Sequence, residues 1–274
     1  MACFRRGGMN DGQTLRTVRI AAVGDIHCTR ESRGMLHEVF VRATESADIL
    51  ALAGDLTDYG LPEEAHVLAG ELAGAQLPVV AVLGNHDFES NAQAEVAGIL
   101  KDAGVKVLDG DAVEIMGIGF AGAKGFGGGF GAGALGSWGE PATKAFVQAA
   151  LDEALKLETA LARLRMEQRV VLLHYSPVAR TVEGEPEPIY PFLGSSRLEE
   201  PIDRLASSVV FHGHAHHGSL EGATRGGTPV YNVSLPLLRA NDAEQAFRVV
   251  ELPAAPPADL LAEPAARAEV GTPA

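Results

Sequence analysis

Cysteine is all but missing from this chain: two of 274 residues, Cys3 and Cys28. One pair at most cannot frame a disulfide-stapled scaffold, so the fold must rest on a buried apolar core. Long apolar runs are missing too. None approaches the ~18 residues needed to cross a bilayer, which excludes a membrane-spanning helix. Residues 1–16 hold charges and glycines but no apolar signal core, so the reading is a cytoplasmic protein with a disordered N-terminal segment over 1–16. Positive charge is scarce: 22 Lys and Arg against 36 Asp and Glu leave a formal net charge of −14. The cations are scattered, with no stripe able to neutralise a run of phosphates, and a broad nucleic-acid-binding face is excluded. A nuclease acting on short or flexible ends stays open. Nothing in the sequence bears on oligomeric state.

What is present is a set of five short polar blocks, each directly after a strand-like apolar run. They read Gly24-Asp25-Ile26-His27, Gly54-Asp55-Leu56-Thr57-Asp58, Gly84-Asn85-His86-Asp87, His174 and Gly213-His214-Ala215-His216. The preceding runs are Arg19–Val23, Asp48–Ala53, Pro78–Leu83, Arg169–Leu173 and Ser208–Phe211. Short continuous β-branched runs read as strands buried on both faces, and open α/β sheets place their ligands at the carboxyl ends of such strands. One Gly-Asp or Gly-Asn block is an ordinary turn. Five together bring two aspartates, one asparagine and four histidines to one rim, enough donors for two metal ions. Cys28 adjoins His27 and reads as a small packed side chain rather than a ligand.

Between the strands lie amphipathic segments. Residues 33–46 show Leu36, Val39, Phe40 and Ala43 at helical spacing, 62–73 opens with proline and then glutamates, and 142–166 carries Phe146, Ala149, Ala150, Leu151, Ala154 and Leu157 on one face. Strand and helix in alternation mean crossovers and a largely parallel sheet. Short β-like pieces at 105–108, 112–116, 118–121, 218–221, 229–233 and 246–251 fit a second sheet packed on the first. Beyond 251 the chain turns Ala- and Pro-rich, and 252–274 reads as a disordered or loosely packed tail. The run from Gly117 to Gly122 matches a Gly-x-Gly-x-x-Gly dinucleotide pattern, but the glycine-rich residues that follow cannot be the helix that pattern needs. The stretch 117–139 is instead a long loop after a strand: a mobile flap carrying Phe126, Phe130 or Trp138 to the substrate, or a surface loop without a role. His37, His66 and His217 read as solvent-facing, and His212 shares a strand face with His214.

The ordered series Asp-x-His, Gly-Asp-x-x-Asp, Gly-Asn-His-Asp, His, Gly-His-x-His resembles the signature of the calcineurin-like metallophosphoesterases, from about Thr17 to the strand after His216. The stretch around His174-Tyr175-Ser176-Pro177 looks most like the small bacterial Icc-related, class III cyclic-nucleotide phosphodiesterase-like members. The resemblance implies an α/β fold, a four-layer αββα sandwich of two mixed sheets flanked by helices, spanning 17–251. It implies two divalent metal ions: Asp25, His27 and His216 on one, Asn85, His174 and His214 on the other, and Asp55 bridging both. A hydroxide between the ions would be the nucleophile. His86 would face the leaving-group oxygen, its ring oriented by Asp58. Asp87 reads as a supporting or backbone-capping residue. A mixed nitrogen and oxygen set without cysteine suits Mn, Fe, Zn, Co or Ni, with Mn or Fe favoured.

One departure narrows the substrate. In the protein Ser/Thr phosphatases of this family Arg-Gly follows the second block, whereas here Tyr59-Gly60 follows Asp58. Without that arginine a dianionic monoester loses a charge partner, and a phosphodiester depends on it less. The favoured reading is therefore a phosphodiesterase acting on cyclic nucleotides or small nucleotide-like diesters. The alternatives are a phosphomonoesterase or pyrophosphohydrolase on nucleotides or sugar phosphates, a nuclease, and, from another class, a non-catalytic scaffold. The partner common to the catalytic readings is a small phosphate ester.

Overall fold

The computed structural model describes residues 16–254. Strands β1 (Arg16–Val23), β2 (Ile49–Ala53), β3 (Val79–Val82) and β4 (Lys106–Val107) run parallel, with β11 (Arg248–Ala254) antiparallel on the edge, in the order β11-β1-β2-β3-β4. The second sheet holds β5 (Asp111–Ile115), β6 (Ile118–Gly122), β7 (Arg169–Leu172), β8 (Val209–His212), β9 (Glu221–Ala223) and β10 (Pro229–Asn232), in the order β5-β6-β7-β8-β10-β9. Its inner strands β6, β7, β8 and β10 are parallel, and β5 and β9 are antiparallel at its edges.

Strand alternation divides the apolar residues among three layers of core. Along β1, Val18, Ile20 and Ala22 point between the sheets, while Ala21 and Val23 point to the helices. Likewise Ile49, Ala51 and Ala53 face inward and Leu50 and Leu52 outward on β2. From the second sheet, Phe120, Val170, Leu172, Val209 and Phe211 meet them. Helices α1 (His37–Ser46), α2 (Pro62–Leu72) and α3 (Gln93–Asp102) lie with the first sheet, and α4 (Pro141–Arg163) packs on the second through Leu157, Ala160 and Leu161. The result is the four-layer αββα arrangement, and continuous β-branched runs follow from strands covered on both faces. Among the described residues no helix is long and apolar enough to cross a membrane.

Four local expectations are corrected. Residues 105–108 and 246–251 belong to the first sheet, not the second: α3, which the sequence reading lacks, makes β4 one more parallel crossover beside β3, and β11 pairs with β1 from Arg248↔Ala22 to Ala254↔Arg16. Ordered pairing thus runs through Pro253 and Ala254, past the boundary drawn at 251, while 1–15 and 255–274 lie outside the described residues. On α4 the buried stripe is Val147, Ala150, Leu157, Ala160 and Leu161, and Leu151 is exposed. The first helix starts at His37 rather than 33, with Leu36, Val39, Phe40 and Ala43 all buried as its periodicity requires.

Candidate metal centre

All five blocks emerge at the carboxyl ends of parallel strands: β1, β2 and β3 of one sheet, β7 and β8 of the other. The turns are crowded. Asp25, His27, Asp55 and His214 have φ of 54°, 47°, 47° and 70°, a region that costs a non-glycine residue roughly 1–3 kcal/mol and persists where the surroundings over-determine it. The glycines of the blocks answer to close approach. A Cβ on Gly84 would lie 2.1 Å from Asp55 Oδ1, one on Gly213 2.1 Å from Asp25 Oδ2, and one on Gly54 2.6 Å from His174 Nδ1. These three blocks need glycine because a donor side chain of another block occupies that space.

The donors gather in two groups. In one, His216 Nε2 lies 2.9 Å from Asp25 Oδ1, and His27 Nε2 lies 3.9 Å from Asp55 Oδ2. In the other, His174 Nε2 lies 2.9 Å from Asn85 Oδ1, 3.2 Å from His214 Nδ1 and 3.3 Å from Asp55 Oδ1. The two oxygens of Asp55 thus face opposite groups, as a shared carboxylate must.

The outer nitrogens of three rings are already engaged. His174 Nδ1 donates to Ala53 O at 3.0 Å, His214 Nε2 donates to Phe192 O at 3.1 Å, and His27 Nδ1 donates to Asp58 Oδ1 at 3.1 Å. With protons held there, the inner nitrogens offer lone pairs. His27 Nε2 is buried and has no hydrogen-bond partner among the described residues. Acceptors packed this closely repel one another unless a cation lies among them, and the donor set suits two divalent ions of borderline character. In the metal-free site a proton does part of that work. Burial pushes His174 down, but the adjacent Asp55 carboxylate outweighs it and raises the ring to about 9; burial pushes Asp55 up, and His174 outweighs that and holds it far below the usual carboxylate range. Burial, reinforced by the His174 charge, pushes His214 down to about 4. The hydrogen bond to Asp25 raises His216.

Asp58 is not placed as expected. Its carboxylate sits on His27 and is 3.9 Å from His86 Nδ1; the His86 ring is held by the backbone, Nδ1 donating to Asp58 O at 2.7 Å. The turn that brings the Asp58 carbonyl to His86 leaves its side chain free to reach the nearer ring, His27, which meets His86 edge-on with centroids 4.5 Å apart. His86 N–H also donates to Asp55 Oδ1 at 2.9 Å. Asp87 is fully buried and accepts from Leu56 N, Thr57 N, Thr57 Oγ1 and Gly84 N at 2.6–3.2 Å, tying the turn after β2 to the turn after β3.

His212 is buried away from the donor groups: Nδ1 donates to Gly213 O and Nε2 accepts from Thr181 Oγ1, both at 2.8 Å. Cys28 is buried and packed, with burial pushing its thiol up to about 12. His37, His66 and His217 are exposed.

The glycine-rich stretch differs from a flap. Gly125 and residues 127–129 are buried, with Gly128 N donating to Pro191 O and Gly129 N to Gly194 O at 2.6 and 2.9 Å. Phe126 packs on Phe146 and on Tyr175, whose ring in turn lies 4.4 Å from that of His214. Phe130 packs on Tyr190, and Trp138 is exposed. The loop therefore backs His214, one of the candidate metal donors, through Tyr175. Sequence reasoning missed Tyr175, the Phe192 carbonyl and Lys124. Lys124 was readable: it stands two residues past β6, at the same carboxyl rim.

Residues 18–218 match the family model described as calcineurin-like phosphoesterase. Among solved structures, phosphopantetheinyl hydrolase from Mycobacterium tuberculosis superposes with a TM-score of 0.61 at 15% identity, covering 84% of this chain and 95% of that one. TT1561 of Thermus thermophilus gives 0.53 at 18% identity, covering 87% and 99%. GAP50, the anchor in the inner membrane complex of Plasmodium, gives 0.55 at 13% identity, covering 86% and 81%. At these identities the likeness is one of fold. A search of curated proteins finds no significant match.

Proposed function

The chain belongs to the calcineurin-like phosphoesterase family, and from that premise we propose that it hydrolyses small phosphodiesters, cyclic nucleotides or nucleotide-like diesters among them, with two Mn or Fe ions. The observation that carries the catalytic reading is the buried, partnerless His27 Nε2 facing a shared Asp55 carboxylate, with Asn85, His174 and His214 converging on its other oxygen. When bound, the two ions supply Lewis acidity and lower the pKa of water toward neutrality. Asp25, His27 and His216 would hold one, Asn85, His174 and His214 the other, and Asp55 both. Asn85 ligates through oxygen without adding a third negative charge, which keeps the centre attractive to a phosphate ester.

The protein's own groups do the rest. His86 Nδ1–H is committed to the Asp58 carbonyl, so its Nε2 donates to a leaving-group oxygen only when the ring is doubly protonated, and accepts when it is neutral. Asp58 holds the His27 ring in the tautomer a ligand needs. Diester preference rests on Tyr59-Gly60 standing where the protein phosphatases carry Arg-Gly: no cation follows Asp58 to balance a second phosphate charge. A scaffold reading has a precedent of fold in the Plasmodium anchor, but the intact donor set favours catalysis here.

The test is hydrolysis of bis-p-nitrophenyl phosphate against p-nitrophenyl phosphate by metal-stripped protein with Mn²⁺ restored. A higher kcat/KM for the diester is expected. Preference for the monoester would overturn diester specificity, and turnover of neither with metals bound would return the scaffold reading.

A further inference from the structure

A cavity of about 270 Å³ opens at the same carboxyl rim, beside the donors on the His86 side. Its walls include Leu83 and Phe88, the residues that bracket Gly84-Asn85-His86-Asp87, together with Ala97 of α3 and Leu108 after β4. Its polar lining is Gln93, Lys101, Lys124 and one acid, Asp109, which is paired with Lys156. Lys124 lines it, half-buried, and among the described residues no carboxylate lies within 4 Å of its ammonium. The nearest acids are spoken for: Lys156 Nζ takes both Asp109 Oδ1 and Glu153 Oε1 at 2.8 Å, and Glu153 Oε2 accepts from Gly125 N. The Lys124 ammonium makes one hydrogen bond, to Gly125 O at 2.9 Å, and otherwise lies 4.9–5.3 Å from the ring centroids of Phe88, Phe126 and Tyr175. The Gln93 side chain also lines the cavity. Lys101 adds a second cation at the cavity's exposed edge.

We propose that this cavity receives the leaving group of the substrate, and that the leaving group is an apolar or aromatic body bearing its own anion, which Lys124 receives. This rests on the phosphoesterase reading. The apolar body lies against Phe88, Leu83 and Ala97, and the anion meets Lys124 with Lys101 at the edge. A cation held among rings with one backbone partner is poorly solvated, so an anion that reaches it gains a charge-assisted hydrogen bond at little further desolvation cost. Phe88 and His86 lie on one turn, which sets the cavity wall two residues from His86 along the chain.

Two matched diesters test this: methyl phenyl phosphate and methyl 4-(carboxymethyl)phenyl phosphate, whose phenols are almost equally acidic because the methylene insulates the carboxylate. With Mn²⁺-loaded protein, kcat/KM should favour the carboxymethyl ester about tenfold, the equivalent of one desolvated ionic contact. Lys124→Met should bring that ratio to about one, and Lys124→Arg should keep most of it. In parallel, calorimetric titration compares 4-hydroxyphenylacetate with phenol, the two leaving groups alone; the carboxylate should bind about tenfold tighter, and Lys124→Met should remove the difference. Equal ratios for both esters, or a ratio that survives Lys124→Met, overturn the proposal. If neither ester is turned over but the titration still shows a Lys124-dependent preference, the cavity assignment stands and the phosphoesterase reading falls.

Discussion

At Gly84 a single added methyl would sit 2.1 Å from the shared Asp55 carboxylate, backbone and side chain both in the way. Gly84→Ala should therefore lower metal content below two ions per chain and cut turnover by roughly 100-fold, the scale of a ~1 Å misplacement in a catalytic site; metal analysis alongside kinetics checks both. Asp55→Ala should abolish activity and lower metal content, and full turnover with normal loading would sink the bridging assignment. His86 calls for a different readout. His86→Ala should keep both metals and slow esters with poor leaving groups most, and an equal loss across leaving groups would argue against proton donation. The His174–Asp55 pair makes metal binding pH-dependent. Asp55 raises His174 from the ordinary 6.5 to about 9, so this contact stabilises the metal-free fold fully below pH 6.5 and is lost as pH rises through about 9. A metal ion must displace that proton, so affinity should rise with pH across the same window. Titration of Mn²⁺ at pH 7 in buffers of different ionisation enthalpy should show release of about one proton at this ligand; none released would contradict the assignment.

Between elements, buried polar groups tie the ligand-bearing turns together. Asp87 joins the turns after β2 and β3 through four hydrogen bonds, and every partner is a donor. An amide there would set N–H against N–H, so Asp87→Asn should cost on the order of 2–4 kcal/mol and lower Tm by several degrees. His212 links β8 to Thr181 in the segment after β7, and burial pushes it down to about 4. The unfolded chain takes up a proton below about pH 6.5 and the folded one does not, so its contribution to stability is intact above 6.5 and falls away toward pH 4. Element type was readable wherever one pattern dominated: strands buried on both faces announced themselves as unbroken β-branched runs, and α2 as proline followed by glutamates. Where a short strand's sheet depends on its neighbours, the sequence was silent. The pair Lys106–Val107 holds no signal for which sheet it joins until α3 is recognised, and Ala246–Glu251 none for pairing with β1.

For the whole molecule, the five blocks made the convergence of candidate metal donors legible because metal chemistry restricts residue type, and strand topology restricts where such residues meet. Asp58 was misplaced at the level of contact because its carbonyl and its carboxylate serve different histidines, and sequence spacing cannot separate the two. The glycine-rich stretch misled for a related reason: glycines that admit close packing against 191–196 look the same in sequence as glycines that confer freedom. The proposed function is that of a two-metal phosphoesterase. Its most direct test measures metal stoichiometry and bis-p-nitrophenyl phosphate hydrolysis on the same sample, stripped and then titrated with Mn²⁺. Activity should vanish on stripping and return in full only as loading approaches two ions per chain. Binding of fewer than two ions at saturation, or hydrolysis untouched by stripping, would contradict it.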